Sequence, residues 1–190
     1  MSTHMNKILN MKGIPSIMEN ENIVISNNTI NDDGKIYRTV DYSKTEQTHL
    51  LMSRHMNGAG RLFGGQLLAW IDELAGIVAK RHSSSNIITA CIDNLEFKNG
   101  CYLNDLVVLI GYVTHVGRTS IEVRIDTYQE KPDGSRYPIN RAFFVMVALD
   151  EFDKPIEVPR LKIESIEQQA KWDSAIKRAE HRVQRKLEGY

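Results

Sequence analysis

The run from Gly64 to Ala79 constrains the fold of this chain more than any other segment. It consists almost entirely of apolar and small residues, and its only charges are Asp72 and Glu73. A helix that is apolar on all sides must be buried. The simplest structure that buries such a helix is a β-sheet wrapped around it. The helix is predicted to end near Arg81 and His82, and the basic side chains of its last turn, Lys80, Arg81 and His82, suit the negative end of the helix dipole.

Four segments after the helix have the pattern of β-strands. They run from Asn86 to Phe97, from Leu106 to Val116, from Ile121 to Thr127 and from Arg141 to Leu149. A shorter strand is predicted at 48–52, before the helix. One buried helix followed by an antiparallel meander is an α+β layout.

Composition divides the chain into three parts. Residues 1–35 are polar and rich in asparagine, which predicts a flexible N-terminal extension. Residues 36–161 contain the helix and the strands. In residues 162–190, apolar side chains recur at three- and four-residue steps among Lys, Arg and Glu. This last pattern predicts an amphipathic helix, which we expect to dock on its own domain or on a partner subunit.

Charge and composition argue against several classes of function. The 190 residues include 24 Lys and Arg against 24 Asp and Glu, so no basic field suggests nucleic acid or a membrane as a partner. No apolar run is long enough to cross a bilayer, and we predict a soluble, cytoplasmic protein. Cys91 and Cys101 have no His at metal-ligand spacing, so they are predicted to be structural thiols, and no metal site is predicted.

The carboxylate inside the apolar helix indicates an active site. Burying an ionised carboxylate costs several kcal/mol unless it is compensated, and such groups persist mainly where their charge is used. Small residues lie one turn above and below Asp72, which leaves room for a ligand. Glu73 is turned about 100 degrees away around the helix axis. We therefore predict that Asp72 is the reactive carboxylate and that Glu73 is structural or lies at a subunit contact.

The two glycines that open the helix are a second candidate feature. Free N–H groups at a helix N-terminus can bind a phosphate or a developing oxyanion, and glycine lets a substrate approach closely. Gly64 and Gly65 are therefore predicted to contact substrate, although a tight entry turn is the alternative. Gly65 and Asp72 are separated by about 10 Å along the axis. Because one carbonyl group cannot easily reach both, the sequence predicts a two-fold dimer with composite sites.

The residues from His55 to Glu73 resemble the signature of the hotdog-fold acyl-CoA thioesterases, the acyl-CoA hydrolase family. Further similarity lies in the turn at 117–123 and in the segments 143–150 and 158–159. The resemblance covers about residues 39–161. It implies an α+β hotdog fold, in which an antiparallel sheet wraps around one long central helix, with a C-terminal helix added.

The resemblance also implies a reaction and the residues that perform it. The substrate would be a fatty acyl-CoA, hydrolysed to free fatty acid and CoA, and no cofactor would be needed besides the CoA of the substrate. Asp72 would be the general base or the nucleophile, Asn57 would hold the water or the thioester, and the backbone of Gly65 would polarise the thioester oxygen. Arg118, Thr119 and Ser120 would lie near the nucleotide end of CoA. The family implies a homo-oligomer, a dimer or a hexamer built as a trimer of dimers.

Two rival functions stay open at this point. A regulatory hotdog protein would bind acyl-CoA without turnover, and a hotdog dehydratase would remove water from a hydroxyacyl thioester. The dehydratase typically needs a His base, and none lies in the helix before its end. His49, His55 and His115 are predicted to be packing residues. The absence of a Gly-x-Ser-x-Gly motif argues against a serine hydrolase.

Overall fold

The computed structural model of the protein describes residues 29–30 and 34–189. The predicted flexible extension at 1–35 lies almost wholly outside these residues and stays a prediction. The described elements are β1 (Thr29–Ile30), β2 (Ile36–Thr39), α1 (Val40–Ser43), β3 (Thr45–Leu50), a 3-10 turn (Ser53–His55), α2 (Gly64–Ser83), β4 (Asn86–Phe97), β5 (Leu106–Val116), β6 (Ser120–Glu130), β7 (Arg136–Leu149), β8 (Arg160–Lys162) and α3 (Ile166–Glu188).

A five-stranded antiparallel sheet wraps around α2, in the order β3-β5-β6-β7-β4. The helix packs against all five strands through side chains that are at most 1% exposed, among them Leu67, Ile71 and Leu74. Gly111 of β5 lies beneath the helix, where a Cβ would come within 3.0 Å of the Val78 side chain. A glycine at this position therefore lets helix and sheet approach closely. The predicted α+β hotdog fold is confirmed.

The position of β4 in the sheet differs from the expected simple meander. β5, β6 and β7 follow one another as predicted, but β4 pairs with β7, from Asn86 opposite Leu149 to Phe97 opposite Asn140. The reason is that α2 crosses the concave face of the sheet, so the two strands it joins, β3 and β4, lie at opposite edges. Among the described residues, the outer edge of β4 has no strand partner.

The C-terminal end of α2 is fixed by buried polar groups. Arg38 of β2 donates hydrogen bonds to the backbone carbonyls of Arg81 and His82. The His82 side chain is completely buried, with its Nε2 atom 3.2 Å from the Pro159 carbonyl oxygen. Burial lowers the pKa of His82 to about 4. The predicted role of His82 as a positive charge at the helix end is therefore wrong, because burial keeps the imidazole neutral.

The C-terminal helix α3 docks on the convex face of the same chain's sheet. Its N-terminus is capped by Ser165, whose hydroxyl accepts a hydrogen bond from the Gln168 amide at 3.2 Å. The carboxylate of Glu122, only 2% exposed, pairs with Arg178 at 2.6 Å and Arg182 at 3.2 Å. The amphipathic helix predicted from the sequence thus covers the face of the sheet opposite α2. No helix in the described ranges is both long and apolar enough to span a membrane.

Candidate active site

Asp72 lies midway along α2, but it is not buried as predicted. Asp72 and Glu73 are both exposed, whereas the neighbouring Ile71 and Leu74 are 0% exposed. The predicted burial of Asp72 is therefore wrong for the single chain, because the sheet covers only one side of the helix. Small residues on the other side, such as Ala69, also face outward. We refer to this side of α2 as its open face.

Thr89 of β4 is a site residue that sequence reasoning missed. Its hydroxyl donates a hydrogen bond to Oδ1 of Asp72 at 2.7 Å. The ladder between β4 and β7 shifts register between Thr89 and Cys91, immediately beyond this contact. The hydrogen bond orients the carboxylate and leaves its second oxygen available. A threonine in a strand is ordinary, so no local sequence signal could have identified it.

Asn57 lies in the loop that leads into α2. Its Oδ1 atom accepts hydrogen bonds from the backbone amides of Ala59 at 2.9 Å and Arg61 at 3.1 Å. Because both neighbours are donors, the side-chain oxygen must face them and the NH2 group must face away. That NH2 group makes no hydrogen bond within the described part of the chain. Asn57 can therefore donate a hydrogen bond to a ligand in front of the loop.

The N-terminus of α2 carries the predicted oxyanion donors. No side chain caps it, since the residue at the N-cap position is Phe63. The amides of Gly64 and Gly65 belong to the first helical turn, which lacks intrahelical acceptors. A Cβ at Gly65 would lie 2.6 Å from the Phe63 ring, and one at Gly64 would lie 3.5 Å from the Phe97 ring. Two exposed aromatic rings thus flank these amides.

A single chain does not bring all the predicted site residues together. Asn57 and the start of α2 lie near the Leu106 end of β5, where Leu62 donates to the Cys101 carbonyl oxygen at 2.8 Å. Arg118 follows the other end of β5, and the eleven residues of that strand span about 35 Å. The two groups of predicted site residues therefore lie at opposite ends of β5 in one chain.

The predicted nucleotide-contact residues form a turn between β5 and β6. Gly117 donates a backbone hydrogen bond to the Ser120 carbonyl oxygen at 2.8 Å. The carbonyl oxygens of Arg118 and Thr119 accept from Val158 and Ala148, each at 3.0 Å. The backbone of the turn is therefore held in place, while the Arg118 side chain is exposed.

Three histidines outside α2 make aromatic contacts, as packing roles require. His49 stacks on Trp70, with ring centroids 4.1 Å apart, and His55 meets the edge of the same ring at 5.0 Å. His115 lies 4.3 Å from the Trp172 ring of α3. Burial lowers the pKa of both His49 and His115.

The two cysteines are free thiols. Burial raises the pKa of Cys101 to about 11, so this thiol stays protonated near neutral pH. Cys91 is partly buried in β4. Within the described ranges, no group of three or more His, Cys, Asp or Glu side chains is arranged to hold a metal ion.

Comparison with known proteins places these residues in context. The family model of the thioesterase superfamily matches residues 59–135. YkhA of Bacillus subtilis, an uncharacterized acyl-CoA thioester hydrolase, is 36% identical over 76% of this chain and 84% of its own length. The chain spans only 25% of mouse acyl-coenzyme A thioesterase 11 and 36% of the rat cytosolic acyl coenzyme A thioester hydrolase, which it also matches.

Two of the solved structures similar to this chain are acyl-CoA thioesterases that cover most of it. An apo-hexameric acyl-CoA thioesterase is 37% identical, with a TM-score of 0.76 over 78% of this chain and 96% of that one. An acyl-CoA hydrolase from Staphylococcus aureus, in complex with butyryl-CoA, CoA and CoA disulfide, is 27% identical. Its TM-score is also 0.76, over 80% of this chain and 93% of its own.

Three variants of the Staphylococcus hydrolase replace an aspartate, an asparagine and a threonine by alanine. In that protein the aspartate follows the asparagine by fifteen positions, and the threonine follows the aspartate by seventeen. The same separations join Asn57, Asp72 and Thr89 in this chain. The three residue types thus recur at matching spacing in a relative of the same fold.

Proposed function

We propose that this chain, which belongs to the hotdog-fold acyl-CoA thioesterases, hydrolyses fatty acyl-CoA to free fatty acid and CoA. The observation that carries the proposal is the carboxylate of Asp72 on the open face of α2, oriented by the 2.7 Å hydrogen bond from Thr89. A positioned carboxylate and uncapped helix amides are the two kinds of group that acyl transfer to water requires.

The chemistry assigns a role to each group. Asp72 takes a proton from water as the water oxygen attacks the thioester carbon, or attacks that carbon itself to form an anhydride. The Gly65 amide and the Asn57 NH2 group donate hydrogen bonds that stabilise the charge on the carbonyl oxygen and hold the substrate. In the first route the C–S bond then breaks, and the proton held by Asp72 passes to the CoA thiolate. In the second route the C–S bond breaks as the anhydride forms, the thiolate takes a proton from water, and the resulting hydroxide hydrolyses the anhydride and restores the Asp72 carboxylate. Both routes give one carboxylic acid and one thiol.

We propose that the site is completed by a second copy of the chain. The acid and the helix amides lie about 10 Å apart along one helix, whereas two antiparallel α2 helices would place one copy's Asp72 opposite the other's Gly65. The open face of α2 borders the free edge of β4, where Ile88 is 50% and Ile92 is 42% exposed. This apolar surface supports the dimer, and the hexameric assembly of a related acyl-CoA thioesterase supports a trimer of dimers.

Replacement of Asp72 by Asn tests the function directly. The variant keeps the size and shape of the side chain but removes the base, so release of free thiol from acyl-CoA should fall by at least about 100-fold. Glu73→Gln is the matched control, because it changes the adjacent exposed carboxylate, and it should retain turnover. Hydrolysis by the Asp72→Asn protein at the rate of the unsubstituted protein would refute the assignment.

Two further measurements, made beside the thiol-release assay, distinguish hydrolysis from the two rival functions. A regulatory protein would bind acyl-CoA, as measured by calorimetry, without releasing thiol. A dehydratase would convert a hydroxyacyl-CoA into the unsaturated thioester, which mass spectrometry detects as a loss of water. The carboxylate positioned on the open face of α2 favours hydrolysis over binding without turnover. The aromatic packing of His49, His55 and His115 argues against a dehydratase, which needs a histidine base.

A further inference from the structure

A cleft opens beside the predicted catalytic residues and ends in an apolar floor. It has a volume of about 360 Å³ and lies between the first turns of α2 and the adjoining ends of β4 and β7. Asn57 and Gly64 line the cleft, so it is continuous with the proposed site of thioester hydrolysis. This continuity is the first reason to regard the cleft as part of the substrate site.

The floor consists of side chains that the folded chain buries almost completely. Leu67 of α2 and Cys101 are each 1% exposed, and Ile139 of β7 is 2% exposed. The high pKa of Cys101, about 11, keeps its thiol neutral, so it behaves as a small apolar group. A hydrocarbon chain that reached this floor would meet these apolar side chains.

The mouth of the cleft is polar, in contrast to the floor. Arg61 and Lys98 are both exposed there, next to the Asn57 side chain. The polarity therefore falls from the rim inward. An acyl thioester has the same gradient, since its carbonyl group is polar and its tail is hydrocarbon.

Backbone hydrogen bonds hold the walls of the cleft in place. The Leu62 amide donates to the Cys101 carbonyl oxygen at 2.8 Å, and the Lys98 amide donates to the Ile139 carbonyl oxygen at 2.9 Å. On one side, the Phe97 ring lies against Gly64. Because these contacts fix the walls, the side chains of the floor decide how deep a ligand can enter.

We propose that this cleft receives the acyl chain of the substrate and that Ile139, with Leu67 beside it, limits the length of the chain. The proposal rests on the function proposed above and adds the residues that set its specificity. A hydrophobic pocket discriminates between ligands through the methylene groups that it can or cannot accommodate. A larger floor residue should therefore penalise long acyl chains, and a smaller one should admit them.

Substitution of Ile139 tests the proposal through the ratio of kcat/KM for palmitoyl-CoA to that for butyryl-CoA. Ile139→Phe should lower this ratio by at least about tenfold, and Ile139→Ala should raise it by at least about threefold. Ile166→Phe is the matched control, because residue 166 is 90% exposed at the start of α3, and it should leave the ratio unchanged.

Because Ile139 lies in the core, the test also includes a variant at a more exposed residue of the cleft. Phe97 is 52% exposed, so Phe97→Ala should fold, and by widening the cleft it should raise the ratio of long-chain to short-chain turnover. If the unsubstituted protein releases no thiol from any acyl-CoA, the proposed function fails. If it does, but the folded variants of Ile139 and Phe97 keep its ratio, the assignment of the cleft is overturned while the function stands.

Discussion

A carboxylate acts on a substrate efficiently only when its orientation is fixed, and Thr89 supplies that constraint to Asp72. The hydroxyl holds one carboxylate oxygen at 2.7 Å and leaves the other available for the reaction proposed above. Thr89 does not itself need to touch the substrate. We therefore regard it as a positioning residue.

Removal of the Thr89 hydroxyl should slow the reaction without weakening substrate binding. Thr89→Val keeps the branched shape but cannot donate to Asp72, so kcat should fall by about 10- to 100-fold with little change in KM. Thr89→Ser restores a donor and should recover most of the loss. A Thr89→Val enzyme with undiminished kcat would contradict the positioning role.

His82 should make the folded protein sensitive to mild acid. Its pKa is about 4 in the folded chain, below the ordinary value of 6.5, so protons bind the unfolded chain more tightly. The stability conferred by the neutral imidazole is complete above about pH 6.5 and is lost as pH falls through about 4. The loss should reach about 2 kcal/mol by pH 5.

Urea unfolding at pH 7 and pH 5 measures this effect. The difference in free energy of unfolding between the two pH values should shrink in His82→Gln, which has no titrating ring. His181→Gln changes an exposed histidine on α3 and should leave the difference as it is. Equal pH dependence in all three proteins would show that His82 does not titrate in this way.

Among the elements, α3 and α2 pack on opposite faces of the sheet, and only α2 carries predicted site residues. The carboxylate of Glu122 is nearly buried between sheet and helix and pairs with Arg178 and Arg182. Arg178 also lies over the Phe143 ring, 3.7 Å from its centroid. These contacts attach α3 to the convex face, far from the open face of α2.

Glu122→Gln should therefore cost stability but leave the chemistry of the folded protein intact. Two partly buried arginines would lose their shared carboxylate, and the free energy of unfolding should fall by about 3 kcal/mol. Glu167→Gln removes an exposed i,i+4 pair with Lys171 and should cost far less, because solvent screens that pair. Denaturant unfolding gives both values, and equal losses would argue against a role for burial.

For the whole molecule, the proposed composite site predicts that activity requires residues from two chains. Asp72→Asn and Asn57→Ala should each be nearly inactive as pure proteins. In mixed dimers, one of the two sites would combine an intact Asp72 with an intact Asn57 from the other copy, so co-expression should restore part of the activity. Mixed dimers that stay inactive would show that the two residues act within one chain.

Long patterns in the sequence predicted most of the elements. The predicted limits of β4 and β5 agree with the structure, and the amphipathic C-terminal pattern corresponds to α3. The strand expected at 48–52 begins earlier, as β3 at Thr45–Leu50. The short elements α1, β1, β2 and β8 were not predicted, because two to four residues are too few to show a period. The cytoplasmic location and the absence of nucleic-acid partners stay predictions.

Hydrophobic periodicity and glycine placement were enough to infer a long central helix, an antiparallel sheet packed on it and a candidate carboxylate in the helix, because these depend on residues close together in the chain. Three features depended instead on long-range packing: the edge position of β4, the pairing of Thr89 with Asp72, and the exposure of one side of α2. An apolar pattern records that a surface is covered but does not identify the neighbour that covers it. A hydrogen bond between a helix and a strand depends on where the sheet places that strand.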